Sequence, residues 1–303
     1  MVVKCESRVS GKVMVVKRIK KMPSVSGDAS DEDEAGADQG FPVRYLREAC
    51  LLRACNHPNV MKLEFVTYHE GQIELFSEFV GLNVEDYISS LSDEYFTRNK
   101  QKHEWVLQLG RYFMKQVLKG IDYCHSIGIL LRDVKPRNFL ISSDGTLKLT
   151  GFVLARFSLL PEEPLTQQVV TLSYRAPEII LGGTYPVYTA PVDIWSAGCT
   201  FAEMITGRTL FEGDSEIGQL LKIFKLLGTP SDCNKSFCFE VPSYIELLPQ
   251  WQPQSLSERL EGLCDEGVDL LSRMLLYHPC SRITARDALK HPYFQGDHSL
   301  MKT

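Results

Sequence analysis

The sequence predicts an α+β protein in two lobes, a small strand-rich one over residues 1–80 and a larger, mainly helical one over residues 81–303. Two observations carry this. Runs of β-branched residues bounded by turn signals cluster before residue 80, and apolar residues at helical spacing dominate from about residue 84 onward. With 44% hydrophobic and 23% charged residues, the chain has the composition of one that buries a core, and 303 residues hold one large domain or two medium ones.

The elements follow in order. GKVMVVKRIK reads as a strand, with Gly11 marking the turn before it. Residues 23–40, PSVSGDASDEDEAGADQG, hold six acidic residues and no basic one, a composition that cannot offset the entropy of ordering, so a disordered acidic loop is expected there. Pro42 suits the start of a helix, and VRYLREACLLRAC carries Leu46, Leu51 and Leu52 at helical spacing. EFVTYH and IELFSEFV read as two strands joined through Glu70-Gly71-Gln72. WVLQLGRYFMKQVLKGIDYCHS is a long helix. Short strands are expected at GILL, FLIS and TLKLT, with Asp144-Gly145 turning between the last two. VDIWSAGCTFAEMITG is apolar nearly all round, the pattern of a core helix with a glycine stop.

Charge and cysteine usage exclude several classes. The formal net charge is −5, and removing the 23–40 segment takes it to +1, so a strongly basic nucleic-acid-binding surface is not expected. No apolar run approaches the roughly 18 residues of a membrane span, and MVVKCESRVSGK has no apolar core of a secretory signal. Nine cysteines at scattered positions, with no C-x-x-C pair, read as reduced thiols of a cytoplasmic or nuclear protein. The seven histidines lack metal-ligand spacing, and Trp105, Trp195 and Trp251 read as core or interface aromatics.

One short loop concentrates chemistry. Leu131 to Asn138 reads LRDVKPRN between two strand-like runs. An aspartate, a lysine two residues on and an asparagine five residues on suit phosphoryl transfer: Asp133 accepts the proton of an attacking hydroxyl, Lys135 neutralises phosphate charge, and the Asn138 carbonyl ligates magnesium. Alone, the octet also reads as a polar turn.

The rest of the chain resembles the eukaryotic protein kinases, and within them the cyclin-dependent kinase group. VMVVKRIK resembles the strand bearing the ATP-phosphate lysine, which would be Lys17. PVRYLRE resembles the helix on which cyclins dock, with Glu48 as the lysine's partner; VVTLSYRAPE, VDIWSAGC, LFEGDSEIGQL, IFKLLGTP and SRITARDALKHPYF follow in the group's order. The likeness runs from Val2 to Phe294. It implies a bilobal kinase fold, ATP and Mg2+ as cofactors, a hinge at Glu78–Val80 for the adenine, and a cyclin-type partner on residues 42–48. It also implies protein substrates or an active relative as further partners. Thr166 falls at the activating-phosphosite position, with Arg47, Arg132 and Arg156 as its cage, and Glu178 with Arg282 matches a buried ion pair.

The departures from that pattern set the functional expectation. Met1 falls where the family's second strand begins, and no G-x-G-x-x-G occurs in the sequence. The small lobe is therefore expected one strand short, from a shortened gene product or start-site error ahead of a functional deletion. The metal-binding aspartate of D-F-G is Gly151, followed by Phe152 and Val153. Losing that carboxylate removes metal stabilisation worth several kcal/mol, roughly a thousandfold or more in rate, and leaves Asn138 as a weak metal ligand. Leu131 replaces the histidine of H-R-D, Ser173 a tryptophan, and Ser77 a gatekeeper phenylalanine, which opens a deeper adenine pocket. The expectation is a pseudokinase acting by partner binding; the alternative is an active serine/threonine kinase using Asp133, Lys135, Asn138, Lys17 and Glu48.

Overall fold

The computed structural model describes residues 2–21, 40–96, 100–158, 171–182, 189–230 and 248–295. The expected acidic loop lies, Gly40 apart, outside the described residues, as does Thr166.

The N-terminal part is an antiparallel sheet of β1 (Val2–Glu6), β2 (Val13–Lys20), β3 (Leu63–His69) and β4 (Gln72–Glu78), in the order β1-β2-β4-β3. The β3–β4 turn is shorter than the sequence suggests. Gln72 pairs with His69, so only Glu70 and Gly71 turn, both at positive φ. A two-residue turn of that hand matches the twist of the strands, and glycine adopts it without cost.

Between β2 and β3 the chain forms α1 (Val43–Ala54). Glu48, Leu51, Leu52 and Cys55 follow an i, i+3, i+4, i+7 pattern and are all buried. Leu46 falls outside that pattern and is 41% exposed, so of the three leucines read at helical spacing it alone belongs to the outward face.

Beyond the sheet come β5 (Leu82–Asn83), α2 (Val84–Ser90) and the long α3 (Lys100–Ser126). Then follow β6 (Ile129–Leu130), β7 (Phe139–Ile141), β8 (Leu147–Leu149) and β9 (Arg156–Phe157). The expected strand runs form, but as two- and three-residue pieces: β5-β7-β8 make one small sheet and β6-β9 another. The rest is helical: α4 (Pro177–Leu181), α5 (Ala190–Thr206), α6 (Glu216–Leu227), α7 (Leu256–Arg259), α8 (Asp265–Met274) and α9 (Ala285–Ala288).

The α5 helix is the core of this part. It is buried from Val192 to Ile205, packs on α3 and α8, and ends at Gly207, whose left-handed φ lets its N–H reach the Glu203 carbonyl. Trp195 is fully buried, stacked on Phe211 and lying under the Arg282 guanidinium.

Two junctions join sheet and helices. Val60 pairs with Leu149, and the Asn59 amide donates to the Leu147 carbonyl and the Gln116 side chain at 2.8 and 2.9 Å. The backbone of Asn56 donates to the Tyr123 hydroxyl at 2.7 Å, while His57 stacks on the Tyr123 ring. These contacts fix the end of α1 against α3 and against β8, the strand that leads directly to Gly151.

Candidate active site

The loop between β6 and β7 is held by an alternation of inward and outward residues. Leu131, Val134, Pro136 and Phe139 are buried, which turns Asp133, Lys135 and Asn138 toward the opening. Asp193 of α5, 1% exposed, accepts the N–H of Leu131 at 2.9 Å and that of Arg132 at 2.7 Å. These bonds support Arg132 at φ +66°, a conformation that costs a non-glycine residue on the order of 1–3 kcal/mol. His125 contacts the same carboxylate at 2.8 Å. Leu131 fills an apolar slot at 3% exposure, as its side chain requires.

Asp133 is surrounded by donors. Lys135 Nζ lies 2.9 Å from its carboxylate, and the Asn138 amide donates to both the Asp133 carbonyl, at 2.7 Å, and the carboxylate, at 2.9 Å. Lys135 also donates to Thr171 Oγ1 at 2.6 Å, and that hydroxyl faces Asp133 Oδ1 at 3.5 Å. The three residues singled out in the sequence are thus brought together, and Thr171 joins them. Its sequence signal was its place in VVTLSYRAPE. Asp193 also had a signal, as one of two carboxylates, with Glu203, in an otherwise apolar helix.

Lys17 and Glu48 form a second cluster. Lys17 Nζ is 2.6 Å from Glu48 Oε2, and the glutamate is buried. Tyr45, one turn before Glu48 on α1, places its ring centroid 4.9 Å from the same ammonium, with the Arg44 guanidinium 5.2 Å away. Such contacts between a cation and a ring face are worth about 0.5–2 kcal/mol, and sequence patterning gave no hint of this one. At the edge of the sheet, pairing stops at Glu78, so the backbone groups of Phe79 and Val80 lie beyond the ladder. The Glu78 side chain is engaged by the Lys62 N–H at 2.8 Å and by Lys148 at 2.9 Å. Ser77 is buried, opposite Val15 and Leu63 in register.

Gly151 sits beside the β6–β7 loop at φ 84°, ψ 35°, just before a tight turn over Phe152–Leu154 that packs on α1. Phe152 is fully buried and fixes the turn. A Cβ built on Gly151 would stand 2.5 Å from Asn138 Cγ, 2.6 Å from Nδ2 and 2.8 Å from Oδ1. The Asn138 amide therefore occupies the space in which a side chain at 151 would begin.

These residues do not fit a magnesium ion bridging phosphates. Position 151 offers no oxygen and the Asp133 carboxylate is covered by Lys135 and Asn138, which leaves the Asn138 carbonyl oxygen as the one ligand of the three. Among the described residues no group of three or more His, Cys, Asp and Glu side chains is placed to hold a metal.

The expected phosphate cage is described only for its arginines. Antiparallel pairing of Leu130 with Arg156 brings Arg156 near Arg132, while Arg47 is half-buried on α1. Glu178 and Arg282 form a bidentate ion pair with both side chains buried. The guanidinium also donates to the carbonyls of Leu276, Pro191 and Tyr277.

No described helix is long and apolar enough to cross a membrane. In the comparison with known families, the model of the protein kinase domain matches residues 1–294.

Proposed function

The chain belongs to the protein kinase domain family, and from that premise we propose that it is a cyclin-dependent-kinase-like protein with strongly reduced phosphotransfer that acts by binding partners. One observation carries the reading. Where the reaction needs a carboxylate to hold the ion on the β- and γ-phosphates, the chain has Gly151, and the Asn138 amide is packed into the vacated space. Without that ion the charge developing on the transferred phosphoryl group lacks its principal neutraliser.

The partner-binding part rests on α1. Its inner face is anchored through Glu48, Leu51 and Leu52, while Val43, 63% exposed, Leu46 and Cys50 face outward beside one another. An apolar stripe on a helix whose other face is fixed suits a cyclin-type partner that docks on residues 42–48.

A second reading, an active serine/threonine kinase, is favoured by the Lys17–Glu48 pair at 2.6 Å and by the ordered Asp133–Lys135–Thr171 contacts. The experiment that separates the two is phosphotransfer from ATP with Mg2+ to general protein substrates, run beside Asp133→Asn. The expected result is turnover equal to that of Asp133→Asn. Turnover that Asp133→Asn abolishes establishes the active kinase instead. For the partner, Val43→Asp combined with Leu46→Asp should abolish capture of a cyclin-type protein without lowering the melting temperature.

A further inference from the structure

We propose that the candidate site bearing Lys17, Lys135 and Gly151 binds a nucleoside polyphosphate as the metal-free anion, with no need of a divalent ion. The proposal rests on the kinase-family reading of that site and goes beyond it in naming the form in which the ligand is taken.

The argument is one of charge. A carboxylate at position 151 would face the phosphates, and like charges at that range repel unless a cation lies between them. Such a site is obliged to bind metal and nucleotide together. Gly151 removes the repelling group. The neighbouring Asp133 carboxylate cannot replace it, because Lys135 stands 2.9 Å from it and Asn138 donates to it at 2.9 Å. Each lysine is paired with one carboxylate, Lys17 with Glu48 at 2.6 Å and Lys135 with Asp133 at 2.9 Å, so these four groups carry no net negative charge, which a carboxylate at 151 would add. Lys17 also lies 4.9 Å from the Tyr45 ring, and Lys135 is fixed by the Thr171 hydroxyl at 2.6 Å.

Packing points the same way. The Asn138 amide lies where a Cβ on residue 151 would stand, 2.5–2.8 Å from that position, so the gap left by the missing side chain is filled by protein. An ion arriving with a nucleotide would find only the Asn138 carbonyl oxygen there, since residue 151 supplies none and the amide nitrogen is spent on its two bonds to Asp133. A bare polyphosphate needs no such ligand. The backbone groups of Phe79 and Val80 lie beyond the end of the β2–β4 ladder, where they can serve as donors and acceptors for the base.

The test uses the full 303-residue chain and ATP as the probe, titrated in EDTA and, separately, in excess Mg2+, with thermal unfolding and equilibrium dialysis as readouts. The expected result is a rise of several degrees in melting temperature in EDTA, with affinity in EDTA equal to or tighter than in Mg2+. Lys17→Met should weaken binding at least tenfold in EDTA. Gly151→Asp should invert the preference, weakening binding in EDTA at least tenfold relative to Mg2+. Gly151→Ala, which adds the Cβ without the charge, should leave the two conditions equal and so separates crowding from repulsion. Binding that appears only with Mg2+ overturns the proposal, and with it the lost ion site on which reduced phosphotransfer rests. Absence of binding in both conditions, in a sample shown folded by circular dichroism, overturns the proposal and leaves reduced phosphotransfer standing.

Discussion

Arg282 shows how much one side chain can hold. Its guanidinium is fully buried, pairs twice with Glu178, reaches three carbonyls and lies over the Trp195 ring. Removing one partner of such a pair leaves the other charge buried and uncompensated, at a cost of about 3–5 kcal/mol, whereas replacing both by apolar groups costs far less. Glu178→Ala should therefore lose about 3–5 kcal/mol in chemical denaturation, and Glu178→Leu with Arg282→Met a smaller amount than the single change. The pair is legible in the sequence through the motifs that flank both residues. Gly151 is legible too, because a missing carboxylate is a fact of residue identity. The position of the Asn138 amide is not, since it depends on where two loops meet, and no local pattern encodes that separation.

Helix α1 is fixed at both ends by different chemistry. Toward its start, Lys17 and Arg44 lie against the Tyr45 ring and Lys21 against Phe41, which meets Tyr68 of β3 edge-on. Past its end, Asn59, Asn56 and His57 bind the residues of α3 and β8. Asn59 is 5% exposed, and its amide satisfies the buried Leu147 carbonyl. Asn59→Ala should cost about 1–3 kcal/mol, the penalty for a buried group left unpaired, measurable as a lower denaturation midpoint at unchanged slope. At this scale the sequence was informative where periodicity is long. The α3 and α5 helices were read with their approximate extents, as were β2, β3 and β4 of the main sheet; β1 (Val2–Glu6) was not read. The helical spacing that included Leu46 did give α1, but apolar character alone does not tell which side of a helix meets the core, and Leu46 lies on the outer one. The β5 and β9 pieces, which were not read, pair over two residues each, too short for any period to register.

Across the whole molecule, acidic groups respond to folding in opposite directions. Asp144 is held down to about 2 by the Ser142 hydroxyl and the Thr146 N–H, and Asp269 is lowered by Arg273 and His291. Groups of this kind contribute stability above their ordinary values and lose it as pH falls through the lowered ones. Glu203 behaves inversely. Burial raises it above the ordinary 4.5, the Tyr174 hydroxyl bond opposes this, and Glu85 adds repulsion. Its contribution is complete below 4.5 and is lost as pH rises through the raised value. Glu203→Gln should remove that loss, so the stability difference between variant and parent should grow above pH 4.5 with a slope of at most about 1.4 kcal/mol per pH unit before it levels off. Denaturant titrations at a series of pH values measure it; a flat difference contradicts the assignment.

The tryptophans give this architecture an unequal optical signature. The chain has three, Trp105, Trp195 and Trp251, all beyond the sheet of β1–β4. Emission excited at the indole band therefore sees the helical part alone, dominated in its environmental sensitivity by Trp195, sealed between Phe211 and the Arg282 charge. Loss of the sheet, carrying α1 and Lys17 with it, would pass without a change in indole emission while the peptide ellipticity falls. Comparing the two signals on one sample resolves unfolding of the sheet from that of the helices, with no label introduced.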